Sequence, residues 1–305
     1  MIETREGFAA AAAAWGLDLS ADGMALDTAG PDFTVAHAVD REGMSWVLQS
    51  PRREDACERA AREGRALEMV RPHLPVSVPE WRLFTPELIA YPRIPGEPAA
   101  VVEPGTGSYA WRFDPAPPPE TFLESLSRAI AALHHIDPAA ASRFGLPVQS
   151  IDDIRATLRR DAGEARRVLQ VPDTVWDRWA RWLADDSFWP VASVVIHGDL
   201  RPSHLLLDEE HRVVGILDWA ETRVGDPASD FAPLYGSLGR SALRALLESY
   251  RVAGGHVWPR MEQHVVETWS AYPIALARLA MESGDDAPRQ LAQTLVDQTA
   301  RQTMH

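Results

Sequence analysis

The segment His197-Gly198-Asp199-Leu200-Arg201-Pro202-Ser203-His204 follows a hydrophobic run over 191–196, and Asp218 closes another apolar stretch over 213–217. Two carboxylates with an imidazole between them, at these spacings, are what moving a phosphoryl group onto a hydroxyl would need. Asp199 is placed to orient the hydroxyl and accept its proton. Asp218 is placed to hold magnesium against phosphate oxygens, because Mg²⁺ selects carboxylate oxygen and keeps several waters. His204 supplies a polar side chain five positions after Asp199, although imidazole suits softer cations better than magnesium. His197 is read as ordering the loop through hydrogen bonds, and Asp230 as bracing it. A lone His-x-Asp would carry little; its coupling to a hairpin ending in Asp218 is the specific signal.

Those residues need elements to hold them. The apolar pieces at 205–207 and 213–217 flank the turn-forming group Asp208-Glu209-Glu210-His211 and read as a small buried hairpin with the polar residues at its mouth. Nearer the start, 33–39 and 45–49 are β-type runs separated by Asp40-Arg41-Glu42-Gly43. Residues 55–71 are rich in helix formers and stop at Pro72, while 81–84 and 88–91 are further strand candidates. A short helix within 1–19 ends near Gly16. After the Pro- and Gly-rich passages at 92–98 and 114–119, helices are expected over 120–135, 151–169, 174–185, 241–252 and 258–281. The fold class is therefore α+β in two lobes, a small β-rich lobe over 1–94 and a larger, mainly helical lobe over 95–305, with a cleft between them.

Composition narrows the partners. The 305 residues are 46% hydrophobic, enough for two cores. A net charge of −14 repels nucleic acid and anionic membrane and mildly favours a cationic small substrate. All 30 basic residues are arginine. Cys57 is the single cysteine, which excludes an intrachain disulfide and fits a reducing compartment. The amino-terminal stretch, with Glu3 and Glu6, shows no basic n-region or cleavable apolar core, so no secretory leader is expected, and no run approaches the ~18 apolar residues of a membrane span. A cytoplasmic monomer is expected.

On these motifs the chain resembles the aminoglycoside phosphotransferase and protein-kinase-like superfamily, and within it the macrolide 2′-phosphotransferases. The resemblance rests on HGDLRPSHLLLD at 197–208, WVLQSPRRED at 46–55, RPHLPVSVPEW at 71–81, ELIAYPRIPGEP at 87–98 and VGDPASDFA at 224–232. It runs over nearly the whole chain, and the later blocks are not generic to kinases.

The resemblance implies a two-lobed kinase-like fold and an antibiotic-resistance kinase that moves the γ-phosphoryl group of GTP, with ATP as the other possible donor, to the 2′-hydroxyl of a macrolide's amino sugar. It puts His204 at the second metal-contacting position and Gly30 in the phosphate-covering turn. It makes Ile89 and Tyr91 part of the base-reading hinge and Glu63 the helix glutamate, with Glu58 as alternative. The strand residue that is basic in such kinases falls at Gln49, which donates hydrogen bonds to phosphate without offsetting its charge; Arg52 or Arg53 are candidate substitutes. Asp226 is expected to pair with the protonated dimethylamino group, and Tyr272 to line an apolar wall with Trp269, Pro273, Ile274, Leu276 and Leu279. The same fold with another acceptor, such as an aminoglycoside, homoserine, choline or a sugar, and a weakly active nucleotide-binding pseudokinase, are the alternatives.

Overall fold

A computed structural model describes residues 1–28, 30, 32–103 and 108–303. Helix α1 (Arg5–Ala13) leads into strands β1 (Ala25–Asp27), β2 (Phe33–Val39) and β3 (Ser45–Pro51), then α2 (Glu54–Val70), β4 (Leu83–Phe84) and β5 (Ile89–Pro92). The five strands form one antiparallel sheet in the order β1-β2-β3-β5-β4. Alternation in β2 turns Thr34, Ala36 and Ala38 inward, where Ala36 and Ala38 meet Phe8 of α1 and Leu48 of β3. Pro31 of the expected phosphate-covering turn lies outside the described residues.

The chain crosses to the large lobe through β6 (Glu97–Pro98), which pairs not with the first sheet but with β10 (Leu205–Leu207). A hairpin of β7 (Ala100–Val102) and β8 (Tyr109–Trp111) follows, in a stretch whose prolines and glycines hide such short strands from sequence reading. Then come α3 (Glu120–His134), α4 (Pro138–Arg143), α5 (Ile151–Val168), α6 (Asp173–Ala184) and β9 (Val194–Ile196). The expected buried hairpin is present as β10 with β11 (Val213–Ile216), Leu205 opposite Ile216. Strand β12 (Arg223–Gly225) pairs back on β9.

The remainder is α7 (Ala228–Val252), α8 (Met261–Ser270), α9 (Tyr272–Ser283) and α10 (Asp286–Thr303). Gly239 (φ +81°) divides α7 into two helices, and the second is the helix expected over 241–252. One helix expectation needs correction. The run at 258–281 breaks at Ala271, because Pro273 sits in the first turn of a new helix where its missing N–H costs nothing.

The main core wraps the β10–β11 hairpin: Leu205, Leu207, Val213, Ile216 and Trp219 pack with α3 and α7. Burying each large apolar side chain there stabilises by about 1.5–3 kcal/mol, which fixes the hairpin against its neighbours. A second cluster joins α5, α6, α9 and α10 around Trp179 and Trp182. Among the described residues no helix is long and apolar enough to cross a membrane.

Candidate active site

The loop between β9 and β10 is shaped by backbone needs. Gly198 has φ +86°, and a Cβ there would meet the Glu221 carbonyl oxygen at 2.4 Å, so only glycine fits between His197 and Asp199. Asp230, at the start of α7 and with no exposed surface, accepts the N–H groups of His197 (3.0 Å) and Gly198 (2.8 Å). Its carboxylate is also bonded to the His134 ring (3.2 Å), whose other nitrogen meets the Tyr250 hydroxyl at 2.8 Å. Burial alone would push the Asp230 carboxyl up; the bonds and charge of His134, with His197 and Gly198, outweigh it and hold the carboxyl below its ordinary value.

A carbonyl oxygen only accepts, so His197 donates through Nε2 to Leu217 (3.0 Å), and its Nδ1 accepts the N–H of Asp199 (3.2 Å). Burial keeps this imidazole neutral by lowering its pKa. One ring thus ties the Asp199 backbone to the strand end that carries Asp218.

Asp199, His204 and Asp218 offer ligand atoms that all lie within 4.8 Å of one another. His204 ends a 3-10 turn (Pro202–His204), and its Nδ1 donates to the Asp199 carbonyl at 2.9 Å. With Nδ1 so engaged, Nε2 is the nitrogen that would face a metal, 3.7 Å from Asp218 Oδ2. Asp218 itself is left-handed, φ +62°, a conformation that aspartate tolerates better than most residues. Two carboxylates and an available imidazole nitrogen fit a divalent cation whose hard character is met chiefly by the carboxylates.

Helix α2 docks the small lobe on this centre. Glu63 accepts the Trp219 N–H (3.2 Å), Arg62 donates to the Ala220 carbonyl (2.9 Å), and Arg59 reaches Glu221 at 3.5 Å. Burial first, and then the Asp218 charge, push the Glu63 carboxyl up from 4.5 to about 7. The same burial and charges raise the Tyr91 phenol above its ordinary range. Gln49 lies opposite Ile89 on the neighbouring strand, and its amide donates to the Tyr91 hydroxyl at 3.4 Å. The structure therefore brings Gln49, Tyr91, Glu63 and Asp218 together. Ile89 shares the face of β5 with Tyr91 and is fully buried with it and Ala60 of α2, paired across the sheet with Gln49 and Phe84.

Near Gly30, Asp32 binds both Arg53 and Arg59 at 2.7 Å. Arg52 is held by the Thr28 carbonyl (2.9 Å) and the Thr34 hydroxyl (3.1 Å). Both expected substitutes for the missing strand cation are thus already engaged.

On the opposite side of Asp199, Arg201 donates from Nε to Asp199 Oδ1 at 2.5 Å and from Nη2 toward the Tyr272 hydroxyl at 3.4 Å. Tyr272 stacks on Trp269, with ring centroids 5.3 Å apart and planes at 8°. Tyr109 of β8 bonds to Ser203 and shares the electrostatic surroundings of Asp199, Arg201 and Tyr272. Of the expected apolar wall, Trp269 and Pro273 line a cavity of about 210 Å³ with Tyr235 and Val266. Ile274 and Leu276 belong to the core instead.

Asp226 also departs from expectation. It is 4% exposed; Oδ1 accepts the Ala228 N–H (3.0 Å) and Oδ2 receives Nε2–H of His264 (2.7 Å). The His264 tautomer follows from Trp182, whose indole N–H donates to Nδ1 at 2.9 Å. With both oxygens hydrogen-bonded, Asp226 clamps the Gly-Asp-Pro turn to α8. Spacing from Asp218 gave proximity along the chain; the partner His264, 38 residues on, left no local signal. Arg201 and Tyr109 escaped sequence reading too: the first stands inside the motif at a position not used there, and the second in a stretch read as irregular.

Residues 26–264 match the phosphotransferase enzyme family. The uncharacterized protein YcbJ of Bacillus subtilis is 41% identical over 268 residues, 88% of each chain. The crystal structure of macrolide 2′-phosphotransferase MphH from Brachybacterium faecium superposes with a TM-score of 0.88 at 38% identity, covering 95% of this chain and 97% of that one. A macrolide 2′-phosphotransferase type I structure gives 0.86 at 36% identity, covering 95% and 96%. With residues 26–264 matched by the family model, this chain belongs to the phosphotransferase enzyme family.

Proposed function

We propose that the protein is a macrolide 2′-phosphotransferase, an antibiotic-resistance kinase that moves the γ-phosphoryl group of GTP to the hydroxyl beside the dimethylamino group of a desosamine-type sugar. The observation that carries this reading is the convergence of Asp199, His204 and Asp218 within 4.8 Å, beneath a docked α2, in a chain that is similar over 95% of its length to two macrolide 2′-phosphotransferases.

In this reading Asp199 orients the acceptor hydroxyl and takes its proton as the oxygen attacks the γ-phosphorus. The bond from that phosphorus to the β–γ bridging oxygen breaks, and its electron pair leaves on the nucleoside diphosphate. Asp218 and His204 would hold magnesium, which supplies charge neutralisation at the phosphate oxygens. Asp230 and His197 preorganise the loop, so Asp199 pays no ordering cost when substrates arrive. Gln49 and Tyr91 border the nucleotide beneath the turn at Gly30, and Tyr272 with Trp269 offers the acceptor an apolar face. Asp226 acts on this site only through the turn it clamps. The lobes divide at residues 94 and 95, and the enzyme works as a cytoplasmic monomer. Choice of GTP over ATP rests on the family resemblance.

The test is a mass spectrum of erythromycin after incubation with the pure protein, magnesium and GTP, beside an identical ATP reaction. Gain of one phosphoryl group, larger with GTP, is the expected result. An unmodified macrolide alongside hydrolysed nucleotide would move the acceptor to another alcohol; greater gain with ATP would overturn the donor.

A further inference from the structure

We propose that the cavity between α6 and α8 is a binding site for a small organic anion, a carboxylate or phosphate head joined to a flat apolar body, separate from the catalytic cluster. The cavity holds about 440 Å³, within the roughly 300–1,000 Å³ of small-molecule sites. Neither Asp199, His204, Asp218 nor Tyr272 lines it.

The first ground is charge. On a chain of net charge −14, this lining carries three guanidinium groups, of Arg178, Arg181 and Arg260, against two carboxylates, of Asp185 and Glu267. Both carboxylates are engaged. Glu267 accepts Nε of Arg178 at 2.7 Å and the Ser270 hydroxyl at 3.3 Å. One oxygen of Asp185 accepts Nη1 of Arg260 at 2.8 Å, and the other accepts the Ser187 N–H and hydroxyl. Arg181 has no carboxylate partner among the described residues; its Nε donates to the Asp177 carbonyl one turn back (3.2 Å). Among the described residues, no bond occupies the Nη groups of Arg178 and Arg181 or Nη2 of Arg260. Planar forks with N–H groups left over suit an anion that accepts them in parallel pairs.

The second ground is preorganisation. Arg178 is only 19% exposed and is fixed by Glu267. The Arg260 Cζ lies 3.4 Å over the Phe188 ring, so a cation–π contact as well as Asp185 and Ser187 holds that fork in place. Two of the three cations therefore need no ordering when a ligand arrives, and the exposed Arg181 completes the set.

The apolar side of the cavity is the third ground, and it selects among anions. Trp182 and Phe188 line it. The Trp182 indole N–H is donated to His264, so this residue offers a ligand its ring alone. A bare inorganic ion would use the guanidinium forks only, whereas an anion with a flat apolar body also removes that body from water against the rings. Through His264 the same indole reaches Asp226, so the cavity wall ends two side chains from the Gly-Asp-Pro turn.

The test is isothermal titration of the pure protein with phenyl phosphate, benzoate and inorganic phosphate, in low-salt, magnesium-free buffer containing a chelator. One equivalent of at least one aryl anion should bind with Kd below about 1 mM, and at least about tenfold more tightly than inorganic phosphate. The tighter of the two aryl anions identifies the head as phosphate or carboxylate. Arg181→Gln, which keeps the stem along α6, should weaken that binding about tenfold, and Arg181→Glu should remove it. The melting temperature of Arg181→Gln should stay within about 2 °C of wild type, because Arg181 bonds only within its own helix. The proposal is overturned if neither aryl anion saturates below about 1 mM, if inorganic phosphate binds as tightly, or if both Arg181 variants keep the wild-type affinity. None of these readouts uses phosphoryl transfer, so the result stands whichever acceptor the enzyme takes.

Discussion

The floor of the site and its roof are built on different principles. The floor, residues 197–204, is tied down by a fully buried carboxylate: Asp230 receives two backbone N–H groups and a histidine, and His197 links the Asp199 amide to the strand that ends in Asp218. The roof is held by half-exposed ion pairs, such as those of Asp32 with Arg53 and Arg59, and by a glutamine where a strand cation is expected. Hydrogen bonds made by a buried charge are directional and costly to break, whereas exposed ion pairs are screened and individually weak. In the proposed function, geometry for the chemistry is thus fixed below, and the side assigned to the nucleotide is left adjustable.

Breaking the floor should have the largest effect. Asp230→Ala leaves two buried N–H groups and His134 without their acceptor, and is expected to cost about 3–5 kcal/mol in urea unfolding together with most activity. Because the Asp230 carboxyl is depressed in the fold, its contribution is present above about 3.8 and is lost as pH falls through the lower folded value. A loss below about 1 kcal/mol would place loop order elsewhere.

Glu63 joins roof to floor, and its effect should be intermediate. Its carboxyl is raised from 4.5 to about 7, so its contribution is fully present below 4.5 and lost as pH rises toward 7. In magnesium-free buffer, Glu63→Gln should flatten the stability profile over that window, removing a slope of at most about 1.4 kcal/mol per pH unit. An unchanged profile would show that Glu63 is solvated.

The smallest effect belongs to the roof. Asp32→Asn should change stability by less than about 1 kcal/mol, and by less still in high salt. A larger, salt-insensitive loss would mean that the roof is as rigid as the floor.

The same contrast explains what the sequence disclosed. The hairpins at 33–51 and 205–216 were legible because alternation or short apolar runs flanked recognisable turns, and the pairings Ala36 with Leu48 and Leu205 with Ile216 follow. The proximity of Asp199, His204 and Asp218 was legible because the motif is local. Asp226 was misplaced because its orientation is set by His264 and Trp182, contacts that spacing does not encode. The break at Ala271 was missed because Pro273 is compatible with a helix start, so hydrophobic period continues through it. Strands β7 and β8 are three residues each, too short to show a period, and with them went Tyr109.

The most direct test of the account is the rate of phosphoryl transfer by Asp199→Ala, measured with GTP affinity on the same preparation. The proposed function gives Asp199 proton acceptance and leaves nucleotide binding to other residues, so transfer should fall about 10²- to 10⁴-fold while GTP affinity stays within about threefold. A variant that transfers at the wild-type rate would contradict the assignment of Asp199 as the base.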